Sequence, residues 1–130
     1  MRDAHQRKRR FTDEVLEAIS NSNILRLRAG TQPHRFIGIW AVVVDGCVFV
    51  RSWSLKSRGW YRTFIEEPRG AIQIASQEIL VRAVRMRGER LKDAVDRAYL
   101  EKYNTPKSIK YARDLGSAKC RETTTELVPF

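Results

Sequence analysis

The 130-residue sequence predicts an α+β domain built on an antiparallel β-barrel or strongly curled sheet. Three observations lead there. Residues 37–50 hold two apolar runs joined by Asp45-Gly46. Asp-Gly between such runs is the strongest short-range hairpin signal, because both central residues of a type I′ turn need φ > 0. Six segments carry a strand pattern, most of them linked by connections of hairpin length. Helical patterns fall between them in the order α-β-β-β-α-β-β-α-α-β, which suits helices inserted into an antiparallel sheet and not a doubly wound fold.

Met1 to Arg10 is polar, basic and without periodicity, and reads as a disordered tail preceding a single domain over residues 11–130. Thr12 is a good N-cap for a first helix, with Asp13 and Glu14 complementing its dipole and Phe11 placed to staple onto Leu16. Val15, Leu16 and Ile19 form its apolar stripe, and the run Ser20 to Asn23 ends it. From Leu25 the pattern alternates, which predicts a strand with Leu25 and Leu27 inward. A turn containing Pro33 follows, with His34 read as a surface histidine. Ile37 to Val44 is apolar on both faces, so this strand is expected to be central or pressed between two layers. Its hairpin partner runs from Cys47 to about Ser52.

A polar loop then leads to a helix at about 59–66, with Ser57 as a candidate N-cap and Trp60, Tyr61, Phe64 and Ile65 on one face. Pro68 and Gly70 stop it. Ala71 to Ala75 and Glu78 to Arg87 read as strands joined by a tight turn at Ser76-Gln77. In the second of these, Leu80, Val84 and Met86 share a face with Arg82, as in an edge strand guarded by charge or a surface extended by Arg85 and Arg87. Glu89 to Tyr103 is the clearest helix, with Leu91, Ala94, Val95, Ala98 and Tyr99 at helical spacing. A shorter helix, Lys107 to Leu115, precedes Gly116, and Arg121 to Val128 reads as the closing strand.

The net charge is +10, from 25 basic and 15 acidic residues, and the first ten residues contribute +4 of it. Such a balance suits nucleic acid, an anionic membrane or an anionic cofactor, and it also suits plain solubility. No apolar run reaches the 18 residues of a membrane span, and the basic start has no apolar segment behind it, so a cytoplasmic protein is expected. Cys47 and Cys120 match no metal spacing, and no metal is expected. HExxH, P-loop and GxGxxG motifs are absent, and His5 and His34 suggest no catalytic triad.

Two blocks then stand out. The first is Ile39-Trp40-x-Val42-Val43, Gly46, Val50-Arg51-Ser52-Trp53 and Gly59-Trp60-Tyr61-Arg62; the second is Asp93-Ala94-Val95-Asp96-x-Ala98-Tyr99-x-x-Lys102-Tyr103, closed by Thr123-Thr124-x-x-Leu127-Val128-Pro129. Over residues 12–129 they resemble the bacterial family known only as domain of unknown function 2255. That family is similar to the flavin-binding split-barrel group, which includes flavin-dependent pyridoxine-phosphate oxidase relatives and deazaflavin-dependent reductases. The resemblance implies a small split barrel, a homodimer with cofactor at the subunit boundary, and FMN or a deazaflavin as cofactor. Glu126 departs from the basic residue expected in the closing strand, which would weaken anion binding there.

A flavin or deazaflavin needs cations and hydroxyls for its phosphate and a flat apolar slot for its ring. Arg51, Ser52, Lys56, Ser57 and Arg62 are candidates for the first, and Trp53, Trp60 and Tyr61 for the second. The competing reading makes the aromatics core and makes Arg51 and Arg62 structural ion-pair partners. The functional expectation is a redox reaction on an unknown small molecule. The alternatives are a non-catalytic small-anion binding module and a nucleic-acid binder using the N-terminal cations with Arg82, Arg85 and Arg87.

Overall fold

The structure is a computed structural model and describes residues 9–54 and 59–130. The expected disordered tail, through residue 8, and the candidates Lys56 and Ser57 lie outside the described residues. In chain order the elements are α1 (Asp13–Asn21), β1 (Leu25–Ala29), β2 (Ile37–Ile39), β3 (Ala41–Val44), β4 (Cys47–Val50), α2 (Trp60–Glu66), β5 (Arg69–Ile74), β6 (Gln77–Arg85), α3 (Glu89–Lys102), α4 (Ile109–Asp114), α5 (Ala118–Arg121) and β7 (Thr125–Pro129). The strands form one antiparallel sheet in the order β2-β1-β5-β6-β7-β4-β3.

The segment expected as one strand, Ile37 to Val44, is two. It breaks at Trp40, and its halves occupy the opposite ends of the strand order. One short stretch of chain thereby brings both edges together and nearly closes the barrel, which hides the edges from other chains. Both faces of β3 are covered, as the unbroken apolar run implies. Ala41 belongs to the barrel interior with Leu27, Val48, Val50, Ile72, Val81 and Leu127, and Val15 and Ile19 of α1 complete that cluster. Val42 points the other way, into a second cluster with Phe49, Val95, Tyr99 and Leu115 beneath α3 and α4. Burying each of the Val, Leu, Ile and Phe side chains among them contributes roughly 1.5–3 kcal/mol.

Local signals explain most boundaries. The Thr12 hydroxyl accepts from the Val15 N–H at 3.3 Å and caps α1, while Phe11 is buried in the cluster that Leu16 joins. Asp45 and Gly46 have φ of 52° and 74°, the type I′ hairpin their sequence calls for. Three expectations need correction. The β5–β6 turn is centred on Ala75 and Ser76, one residue earlier than expected. β6 is not an edge: it pairs with β5 and β7, and its Ile79-Val81-Ala83 face is the inner one, leaving Leu80 and Arg82 outside. The closing strand starts at Thr125, because Ala118–Arg121 forms α5. In addition, the cap position of α2 is Gly59, with no side-chain cap bond.

Ala75 and Ser76 both sit at positive φ, 52° and 62°, without a glycine between them. L-residues in that region cost roughly 1–2 kcal/mol each. Replacing the pair with Asn-Gly, the preferred type I′ dipeptide, is expected to stabilise the fold by about 1–2 kcal/mol. Urea unfolding of the Ala75→Asn/Ser76→Gly variant checks this, and an unchanged midpoint would count against strain at this turn.

Candidate functional site

The expected site begins at Arg51, just beyond β4. There the chain turns outward beneath α3, and the guanidinium is 1% exposed. Its Nε donates to Thr124 Oγ1 at 2.8 Å, one terminal nitrogen to the Asp96 carboxylate and the Leu115 carbonyl (2.9 Å), and the other to the Lys92 carbonyl (2.9 Å). These four bonds tie β4 to α3, to the end of α4 and to the segment before β7. Asp96 also accepts from Arg121, which reaches Glu89 and Asp93 as well. Arg51 is therefore a structural ion-pair partner turned into the protein, and its expected place on a phosphate is corrected accordingly. Ser52 is buried in the same seam: its N–H donates to Thr123 Oγ1 at 2.8 Å and its hydroxyl to the Ser54 carbonyl at 2.7 Å. The Thr123-Thr124-Thr125 run is the other side of that seam, all three hydroxyls donating to local carbonyls.

The aromatic candidates separate into two groups. Trp53, 39% exposed, donates its indole N–H to the Tyr111 carbonyl and packs edge-on against Trp40 at 5.2 Å. Trp40 in turn stacks on Tyr103, with centroids 3.9 Å apart and planes within 3°. Trp60 and Tyr61 lie on α2. Tyr61 is buried, its hydroxyl donating to the Glu122 carbonyl and its ring facing the Arg85 guanidinium at 5.9 Å. Trp60 is half-buried and meets Tyr61 and Phe64 edge to face. Arg62, on the same helix, is exposed. The cations and rings expected around one cavity are thus distributed over several faces.

One of them does line a cavity. Trp60 and Thr63 of α2 face β1 and the β1–β2 connection across a space of about 230 Å³, also lined by Arg28, His34, Arg35 and Ile37. Gly30, at the end of β1, lets the helix approach: its φ is +81°, and a Cβ there would stand 3.0 Å from Thr63 Cγ2. The Arg28 guanidinium lies over the Phe36 ring at 4.8 Å and meets Glu78 at 3.3 Å. His34 and Arg35 are exposed. A flat indole beside two guanidiniums and an imidazole is a donor set suited to a planar ring carrying an anionic group. The sequence signal for this grouping is weak. Arg28 is an outward position of an alternating strand, and only tertiary packing brings His34 and Arg35 to Trp60.

A second constellation lies where α1, β3 and α3 meet. The Lys102 amine donates to the Ile19 carbonyl at 2.9 Å and the Ala41 carbonyl at 2.7 Å, and the Tyr103 hydroxyl donates to the Asn23 carbonyl at 2.8 Å. Burial pulls the Lys102 amine down to about 8 and pushes the Tyr103 phenol up to about 12. Burial also raises the Tyr99 phenol well above its usual range. Between about 8 and 10.5 the unfolded chain holds the Lys102 proton that the folded chain has lost, so stability rises with pH. Above 10 the unfolded chain releases phenol protons that Tyr99 and Tyr103 retain, so stability falls. Urea midpoints at pH 7.5, 9.5 and 11 are expected to rise and then fall, and Lys102→Met is expected to remove the rise. A wild-type protein indifferent to pH below 10 would contradict this.

Among the described residues no His, Cys, Asp and Glu side chains group in threes to hold a metal, and no helix is long and apolar enough to cross a membrane.

The fold and this cavity define a small split-barrel protein. The chain belongs to the bacterial family described as uncharacterized protein conserved in bacteria, domain of unknown function 2255, whose model matches residues 14–127. Among curated proteins no match is found. Solved structures share the fold at low identity. A conserved hypothetical protein from Mycobacterium tuberculosis is 14% identical, with a TM-score of 0.57 over 94% of this chain and 84% of that one. An F420-H2-dependent reductase is 17% identical, with a TM-score of 0.57 over 82% of this chain and 93% of that one. A FAD-binding protein from Mesorhizobium loti is 12% identical, with a TM-score of 0.53 over 92% of this chain and 88% of that one.

Proposed function

We propose that this protein binds a phosphorylated planar cofactor of the flavin or deazaflavin class in the cavity between β1 and α2, and uses it for a redox reaction on a small molecule. The observation that carries the reading is the donor set there: Trp60 on one side, with Arg28, His34 and Arg35 on the other. Two fold neighbours, described as an F420-H2-dependent reductase and a FAD-binding protein, support the choice of cofactor class. The cavity, at about 230 Å³, suits the ring portion of such a group, leaving its anionic arm at the half-buried Arg28 and the exposed Arg35.

The bound cofactor supplies hydride or electron transfer. The chain's residues bind and orient it. Trp60 offers a flat apolar face, Arg28 and Arg35 offer forked donors for a phosphate, and His34 offers a donor at the ring edge. Ile37, exposed at the rim, is where a second copy in a homodimer would cover the cavity and exclude water. Arg51 and Ser52 act indirectly in this reading, by tying the end of β4 to α3 and to the segment before β7.

Mass spectrometry of small molecules released from native protein, purified without added cofactor, tests the class. A flavin or deazaflavin is the expected species. A retained small anion without a ring system would instead favour a non-catalytic binding module. Salt-dependent retention on polynucleotide would favour nucleic-acid binding.

A further inference from the structure

The cofactor cavity leaves the second constellation unused, and that constellation has its own space. Ser20, Val42, Val43, Ala98, Glu101 and Lys102 line a cavity of about 300 Å³ between α1, β3 and α3. Lys102 is placed in it by two carbonyls. The Ile19 carbonyl comes from the last turn of α1, and the Ala41 carbonyl from the first residue of β3. Those two acceptors take two of the three ammonium protons. The other groups facing the amine are the Tyr103 ring, 5.2 Å away, and the Glu101 carboxylate on the same cavity wall; among the described residues no carboxylate forms an ion pair with Lys102. A desolvated amine without a carboxylate partner gives up its third proton readily. The neutral amine keeps both carbonyl bonds and gains a free lone pair.

We infer that Lys102 is a nucleophilic amine that condenses with small aldehydes or 2-oxo acids entering this cavity. The nitrogen attacks the carbonyl carbon, and the carbonyl oxygen leaves as water with the two protons the nitrogen gives up, leaving a C=N bond to Nζ. Ser20 and Glu101, on the cavity wall, offer groups to relay those protons. The depressed proton affinity of this amine supports the assignment, since burial makes the neutral form accessible near neutral pH.

The test treats folded protein with propanal or glyoxylate and cyanoborohydride at pH 7.4, then maps reduced adducts by peptide mass spectrometry. Lys102 is expected to be modified about tenfold faster than Lys107, Lys110 or Lys119, with a rate that rises and levels off near pH 8. In 8 M urea, roughly full denaturation for a domain of this size, the preference should vanish. A purely structural lysine, bonded to two carbonyls and shielded from solvent, would be the slowest of the four. Lys102 reacting at or below the rate of the exposed lysines would overturn the inference. Val43→Phe, which narrows the cavity from a half-buried position, is expected to slow Lys102 alone; a Lys102 rate identical in that variant and in the wild type would overturn it equally.

Discussion

Arg51→Leu is expected to lower the unfolding free energy by about 3–5 kcal/mol, the usual loss when one member of a buried charged network is removed. The substitution leaves the Lys92 and Leu115 carbonyls and the Thr124 hydroxyl without the donor they face, and removes one of the two arginines on Asp96. Leucine fills much of the volume, so the cost is mainly polar: a buried acceptor left unpaired costs about 1–3 kcal/mol, and the Lys92 carbonyl, which lies within α3, contributes least to it. For a chain of this length the thermal midpoint should drop by about 10–20 °C. Three regions would loosen together, since α3, the end of α4 and the segment before β7 all bond to this one guanidinium. Calorimetry or urea unfolding measures the effect. A variant with unchanged stability would mean that Arg51 is not the internal tie described.

Loss of the two cavity arginines should act in the opposite way, on binding and not on folding. Charge-assisted hydrogen bonds to a phosphate contribute roughly 1.5–3 kcal/mol each. Arg28→Ala/Arg35→Ala is therefore expected to weaken FMN or deazaflavin binding about 100-fold or more. Stability should change by less than about 1 kcal/mol, because the Arg28–Glu78 pair is solvent-accessible and such pairs contribute little. Titration followed by flavin fluorescence, alongside urea unfolding of the same variant, separates the two quantities. Equal affinity in wild type and double variant would remove these arginines from the site.

The contrast between those arginines shows what local pattern can and cannot reveal. Asp45-Gly46 announces its turn because the dihedral demand is carried by the two residues themselves. Ala75-Ser76 adopts the same turn with no such marker, so the pattern sets that turn one residue late. The break at Trp40 is also silent. An apolar run buried on both faces reads the same whether it stays in one strand or crosses to the opposite edge of the sheet. Arg51 stands out for its position after a strand, next to serine and tryptophan. Its partners lie 41 to 73 residues away, and separation in sequence hides an ion pair that folding makes unavoidable. The helix bearing Leu91, Val95 and Tyr99 is legible from periodicity alone, because burial under one face leaves a 3.6-residue imprint. Of the expected site residues within the described chain, only Trp60 faces the cavity proposed for the cofactor. Its companions Arg28, His34 and Arg35 come from a strand and a turn some thirty residues earlier.

We propose that the space between β1 and α2 receives a ring-bearing anion. Equilibrium titration of the wild-type protein with FMN and with a deazaflavin, each to millimolar concentration, tests it most directly. Saturable binding of at least one of them is expected, with quenched tryptophan emission that is largely lost in Trp60→Phe. Absence of saturation with both ligands, or a quench that persists undiminished in Trp60→Phe, would contradict it.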